Sequence, residues 1–113
     1  MEKDPANDFK FLRSEEWKTP NTYDSNFGSP PTKSGVYIIV RPIIELSRIV
    51  HYEVLYVGSA SNIKQRYERH EVMRILSIVY GYLQFYFKVI EDYKKEEIAL
   101  IKKYHPKFNQ QWR

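Results

Sequence analysis

The sequence predicts a small α+β domain, and three observations carry that expectation. Residues 36–40 (VYIIV), 51–57 (HYEVLYV) and 83–89 (LQFYFKV) are rich in the β-branched and aromatic side chains that strands favour. Residues 61–79 and 92–103 instead space their apolar side chains at the helical period. Gly58, Gly81 and the pair His105-Pro106 punctuate these segments. The resulting order is strand, strand, helix, strand, helix, in a chain of 113 residues that has room for one domain.

Each element follows from its own residues. Residues 1–34 read as an N-terminal arm, marked by Thr19-Pro20-Asn21 and by Asn26 to Pro31. Ser14 could cap a short helical turn there, and Trp17, Tyr23 and Phe27 are spaced to anchor the arm on the domain that spans 35–113. The run 36–40 suits a strand buried on both faces. Pro42 either ends it or places it at a sheet edge. Residues 43–50 then form an apolar loop or hairpin tip, longer than a tight turn, before the second strand. The two strands favour an antiparallel hairpin. Gly58 breaks the second strand, and Ser61 is the expected N-cap of a helix running to about residue 79 and ended by Gly81. A third strand follows. The last helix starts at about Asp92 and carries Lys102 and Lys103 late, as the helix dipole prefers, before His105-Pro106 stops it.

Composition narrows the function classes. Zero cysteines exclude a disulfide framework, a thiolate nucleophile and a cysteine zinc site. No apolar run approaches the ~20 residues of a membrane span, and MEKDPANDFK does not read as a signal peptide. A cytoplasmic location fits. Residues 1–34 hold 5 basic and 6 acidic side chains, whereas 35–113 hold 13 and 8, so the excess positive charge sits in the domain. A basic domain rich in tyrosine is compatible with a nucleic-acid partner.

Two places break the packing pattern. In the first helix Ile63, Tyr67, Met73, Leu76 and Tyr80 form the expected buried stripe, and Arg66 and His70, four apart, lie beside it on one face. They are either a solvated arginine with a satisfied histidine, or a site. In the second helix Tyr93, Glu97, Leu100, Ile101 and Tyr104 follow one another at helical spacing, which puts a carboxylate inside an apolar stripe. That is costly unless it is paired or holds a metal. An ion pair with Arg66 is the structural alternative, and Glu96 beside it is the expected solvated charge. The turn 58–61 leads into a helix N-terminus, whose free N–H groups would favour an anion such as phosphate.

These residues resemble the GIY-YIG nuclease family. Gly35-Val36-Tyr37 matches the first signature tripeptide and Tyr56-Val57-Gly58 the second. Arg66 and His70 stand ten and fourteen residues after Tyr56, Glu97 lies on the second helix, and Pro106-Lys107-Phe108-Asn109 matches the family's closing Pro-x-aromatic-Asn. The resemblance covers residues 35–109. It implies a three-stranded antiparallel sheet flanked by helices and a metal-dependent endonuclease that hydrolyses phosphodiester bonds in DNA, with RNA as the alternative substrate.

By the same resemblance Glu97 would ligate Mg²⁺ or Mn²⁺. Tyr37 would activate a water, Tyr56 would line the site, Arg66 would hold the phosphate, and His70 would assist by hydrogen bonding or proton transfer. Gly35, Gly58 and Asn109 would support the site, and Ser59, Ser61, Lys64, Arg69 and Lys107 would contact nucleic acid. Tyr37 and Tyr56 are 19 residues apart, more than compact members show, so 41–53 reads as an insertion or extended hairpin. That segment offers nucleic-acid contacts through Arg41, Arg48 and His51, or a dimer surface through Ile43, Ile44, Ile49 and Val50. Ser59 stands where some members carry a lysine. With no separate reader domain in 113 residues, a homodimer or a larger protein partner would supply specificity. The alternatives are a nucleic-acid-binding module without efficient catalysis and a partner-recruited structural subunit.

Overall fold

The computed structural model describes residues 17–19 and 30–109. The expected capping role of Ser14 and the anchors Tyr23 and Phe27 lie outside those residues. The elements are β1 (Gly35–Glu45), β2 (Arg48–Ala60), α1 (Ile63–Glu68), α2 (Glu71–Tyr80), β3 (Gln84–Val89) and α3 (Tyr93–Tyr104). The strands form one antiparallel sheet in the order β2-β1-β3. This is the expected α+β class. Among the described residues no helix is long and apolar enough to cross a membrane.

β1 is the central strand, and residues 35–40 are buried throughout, as their composition demands. Its side chains alternate between two cores. Val36, Ile38 and Val40 join Tyr52, Val54, Val57 and Trp17 under α3, which contributes Leu100. Tyr37 and Ile39 join Leu55, Phe85 and Phe87 under Ile63 of α1 and Leu76 of α2. The sheet is thus covered on both faces, as a strand with no polar face requires. Each outer strand is also met at one point on its free side by chain from outside the sheet. Lys18 exchanges backbone hydrogen bonds with Phe87 on the free side of β3, at 2.9 and 2.8 Å, while its neighbour Trp17 is buried. On the free side of β2, Phe108 N–H donates to the Leu55 carbonyl at 3.0 Å.

Of the two places expected for Pro42, the structure gives the sheet edge: β1 runs on through it but pairs there only with β2, since pairing to β3 stops at Val40, so its missing N–H breaks no ladder on the far side. Three sequence expectations are corrected. The hairpin connection is not long, because pairing continues to Glu45 opposite Arg48 and leaves a two-residue turn, Leu46-Ser47. Gly58 does not break β2, which runs on to Ala60 opposite Gly35. The first helix is two helices. Asn62, not Ser61, caps α1 through its side-chain oxygen on Gln65 N–H, and the His70 side chain caps α2 by accepting Met73 N–H. Gly81 ends α2, and His105 with Pro106 ends α3, as expected.

The turn carries a backbone cost. Leu46 and Ser47 have φ of 52° and 63°, the left-handed values of a two-residue hairpin turn, which Asn-Gly adopts most cheaply. Leu46 is also 96% exposed, so no packing offsets the strain. Replacing both residues (Leu46→Asn with Ser47→Gly) is expected to raise unfolding free energy by about 1 kcal/mol in urea titration.

Candidate active site

The site begins at a β-bulge. Ile39 pairs with Tyr56 but Val40 pairs with Val54, so Leu55 is the extra residue of β2. Leu55 and Tyr56 consequently face the same side, with Val54 and Val57 on the other. The bulge therefore turns Tyr56 toward the face that carries Tyr37, and the two rings lie 6.3 Å apart. Asn109 braces the strand just past the bulge. Its amide accepts from Val57 N–H at 2.8 Å and donates to Val57 C=O at 2.6 Å, and the residue is 1% exposed.

Tyr37 pairs with Gly58 across the sheet, and a Cβ at Gly58 would collide with the Tyr37 hydroxyl and ring. The absent side chain is what lets the phenol cross β2. Beyond it lies an open pocket of about 310 Å³ lined by Tyr37, Tyr56, Gly58, Ser59, Arg66, Lys94 and Glu97. Residues from β1, β2, α1 and α3 meet there. Glu97 arrives from the helix that covers the opposite face of the sheet, so the pocket straddles the outer strand.

His70 lies behind Tyr37, with Nε2 2.7 Å from the phenol oxygen. Its other nitrogen, Nδ1, takes the Met73 N–H at 3.0 Å. A backbone N–H can only donate, so Nδ1 is an acceptor and the neutral ring carries its proton on Nε2. His70 thus donates to Tyr37, and the phenol's own proton points elsewhere. Burial, with Arg66 adding to it, lowers the His70 pKa to about 4, which holds this neutral form. The Tyr37 pKa lies well above the ordinary phenol value. Burial is the main cause, Tyr56 and Glu97 push the same way, and Arg66 opposes them.

The helix break changes how two expected residues meet. Arg66 and His70 do not share a helix face, because α1 ends at Glu68 and His70 turns inward as a cap. They converge on Tyr37 from different directions. The expected phosphate site at the N-terminus of α1 is also corrected. Asn62 caps Gln65 N–H, while Ile63 and Lys64 N–H donate to the Lys33 and Pro31 carbonyls. Those amides are already committed, so positive charge here comes from side chains. Glu96 is not a fully solvated charge, since it lies 3.9 Å from Lys88.

The expected nucleic-acid contacts separate into groups. Ser59 lines the pocket, and Ser61 and Arg69 line an adjoining recess of about 250 Å³ that shares Arg66 with it. Lys64 lies on α1 without lining either. Lys107 lies elsewhere. Its ammonium hydrogen-bonds the Tyr80 hydroxyl at 3.2 Å, and Arg41 lies over the same ring. Gly35 fits beneath the carbonyl of Lys88 and the side chain of Ile63. The segment 41–53 is an extended hairpin, in which Arg48 is exposed, His51 is half-buried and Ile49 packs on the core. Lys94 is the pocket residue that sequence reasoning missed. Its one signal is a position three residues before Glu97, on the same helix face.

A metal would find one carboxylate here. Among the described residues no group of three or more His, Cys, Asp or Glu could hold an ion by itself. The donor set fits Mg²⁺, which keeps several waters and binds through one or two carboxylates plus substrate phosphate. It does not fit an all-protein zinc cage. Comparison with known proteins finds no match among family models, curated proteins or solved structures.

The buried neutral histidine ties stability to pH. A folded-state pKa of about 4 against an ordinary 6.5 gives stability that is full above pH 6.5 and lost as pH falls toward 4. The loss amounts to about 3 kcal/mol at 1.36 kcal/mol per unit. His70→Asn keeps an acceptor for Met73 N–H without titrating. Its unfolding free energy is expected to fall less steeply than wild type between pH 7 and pH 4, and equal slopes would refute the assignment.

Proposed function

We propose that this pocket hydrolyses phosphodiester bonds and that the protein is a divalent-metal-dependent endonuclease acting on DNA, of the GIY-YIG kind that its signature residues resemble. The observation that carries the reading is the convergence of Tyr37, Tyr56, Arg66 and Glu97, from four elements, on one open pocket with His70 hydrogen-bonded behind Tyr37. A buried structural cluster would not need an exposed arginine and a half-buried carboxylate around a phenol.

Each residue has a task in that chemistry. Arg66 presents a planar guanidinium to the phosphate oxygens and stabilises the charge that builds on phosphorus. Glu97 would hold Mg²⁺ or Mn²⁺, which supplies Lewis-acid polarisation of the phosphate and of a bound water. Tyr37 first gives its own proton to water in the open pocket, and the phenolate then takes the proton of the attacking water. Its raised pKa is the obstacle, and three features bear on it. His70 Nε2–H donates to the phenolate oxygen, Arg66 already pulls the pKa down, and neutralising Glu97 removes one influence that pushes it up. His70 is a positioning and stabilising donor in this scheme, since neither of its nitrogens has a free lone pair for the water's proton. Tyr56 packs edge-on to His70, at 5.7 Å between ring centres, and walls the pocket. Gly58 lets the phenol through, and Asn109 fixes the strand that carries Tyr56.

Nicking of supercoiled plasmid with Mg²⁺ or Mn²⁺, abolished by EDTA, is the expected activity. Glu97→Ala and Arg66→Ala should each lower the rate by about 10²–10³-fold with unfolding midpoints close to wild type. Undiminished cleavage by Glu97→Ala would remove the assignment. Duplex binding without cleavage under either metal would support the binding-module alternative instead.

A further inference from the structure

We propose that Lys94 is a second cationic contact for the phosphate, acting from α3 while Arg66 acts from α1; this rests on the nuclease reading of the pocket. Lys94 and Glu97 stand one helical turn apart on the same face of α3, and both line the pocket with Tyr37, Tyr56 and Arg66. The other lysines of α3, Lys95, Lys102 and Lys103, do not line it. Nor does the strand wall supply a charge, because Gly58 and Ser59 are neutral.

Charge balance gives the position its meaning. Arg66 and Glu97 cancel among the side chains, so Lys94 and the cation that Glu97 would hold are the positive charges left to face a phosphodiester, whose one negative charge rises toward two as the water adds to phosphorus. Lys94 brings the charged side chains of the lining to a net +1. The α1 amides that could otherwise meet an anion are bonded to Asn62, Lys33 and Pro31. An ammonium on a flexible stem follows a phosphate whose geometry changes during reaction, whereas the guanidinium fixes it in plane. Lys94 therefore stabilises the charge that develops on the non-bridging oxygens, and it moves no proton.

The test uses the full chain on supercoiled plasmid and on a labelled duplex carrying a cleavage site mapped on that plasmid. Single-turnover rates are measured with Mg²⁺, and duplex affinity is measured separately in EDTA. Lys94→Ala is expected to slow the single-turnover step by about 10–10²-fold while duplex affinity changes less than about threefold. Lys94→Arg should recover most of the rate, and Lys95→Ala should match wild type in both readouts. Lys94 is exposed, so the variants should unfold with wild-type midpoints. A wild-type rate in Lys94→Ala would overturn the inference while leaving the nuclease reading standing. So would a loss confined to affinity, or a loss that arginine does not restore. Absence of cleavage by the wild type would remove the nuclease reading and this inference with it.

Discussion

A missing methyl group governs the geometry of this molecule. Tyr37 and Gly58 face each other across β1 and β2, and the phenol occupies the space that a Cβ on Gly58 would fill. Any other residue there would force the ring back into the core or push the outer strand away. The bulge at Leu55 then has a place, because together with the register shift between Ile43 and Ile44 it puts Gly58 opposite Tyr37 while turning Tyr56 to the same face. Asn109 has a place too, since its amide holds the backbone of Val57 immediately before the glycine. Gly35 does a related job at the start of β1, where a Cβ would strike the Lys88 carbonyl and the Ile63 side chain. The two glycines keep strand, strand and helix close enough for one pocket to draw on all of them.

The pocket's electrostatics follow from that closeness. Tyr37 is 2% exposed at a spot where water would ordinarily ease its ionisation, and burial holds its proton on. The same burial keeps His70 neutral, and the Met73 N–H settles which of its nitrogens is protonated. The result is a phenol that receives a hydrogen bond from behind and faces charged groups in front. An arginine, a lysine and a carboxylate share that front wall. Burial disfavours a phenolate, so ionisation of Tyr37 depends on what positive charge the front wall gathers.

Much of this was legible in the sequence, and what was not has physical reasons. The strand composition of 36–40, 51–57 and 83–89 named the sheet, because side chains that suit a pleated surface are a local property. Glu97 stood out because a carboxylate in an apolar stripe contradicts packing, and the structure brings it to the same pocket as Arg66 and Tyr37. The break between α1 and α2 was invisible, since neither Gly nor Pro marks it. It arises when the His70 side chain, drawn inward by Tyr37, replaces the helical partner of Met73 N–H. The tight turn was invisible because Leu46 and Ser47 are poor choices for left-handed backbone, and the long strand pairing on either side imposes it on them. Lys94 could not be singled out among 18 basic residues, because its relevance depends on α3 lying across the sheet edge from α1.

The central claim is that the phenol of Tyr37 serves hydrolysis by water, and isotope transfer tests it most directly. Cleavage of duplex DNA in ¹⁸O-labelled water with Mg²⁺, followed by mass analysis of the ends, should place one labelled oxygen on each new terminal phosphate. Tyr37→Phe, which removes only the hydroxyl, should form labelled ends at least about 10²-fold more slowly while binding the duplex as wild type does. Ends without label, or labelled ends formed at the wild-type rate by Tyr37→Phe, would contradict the account.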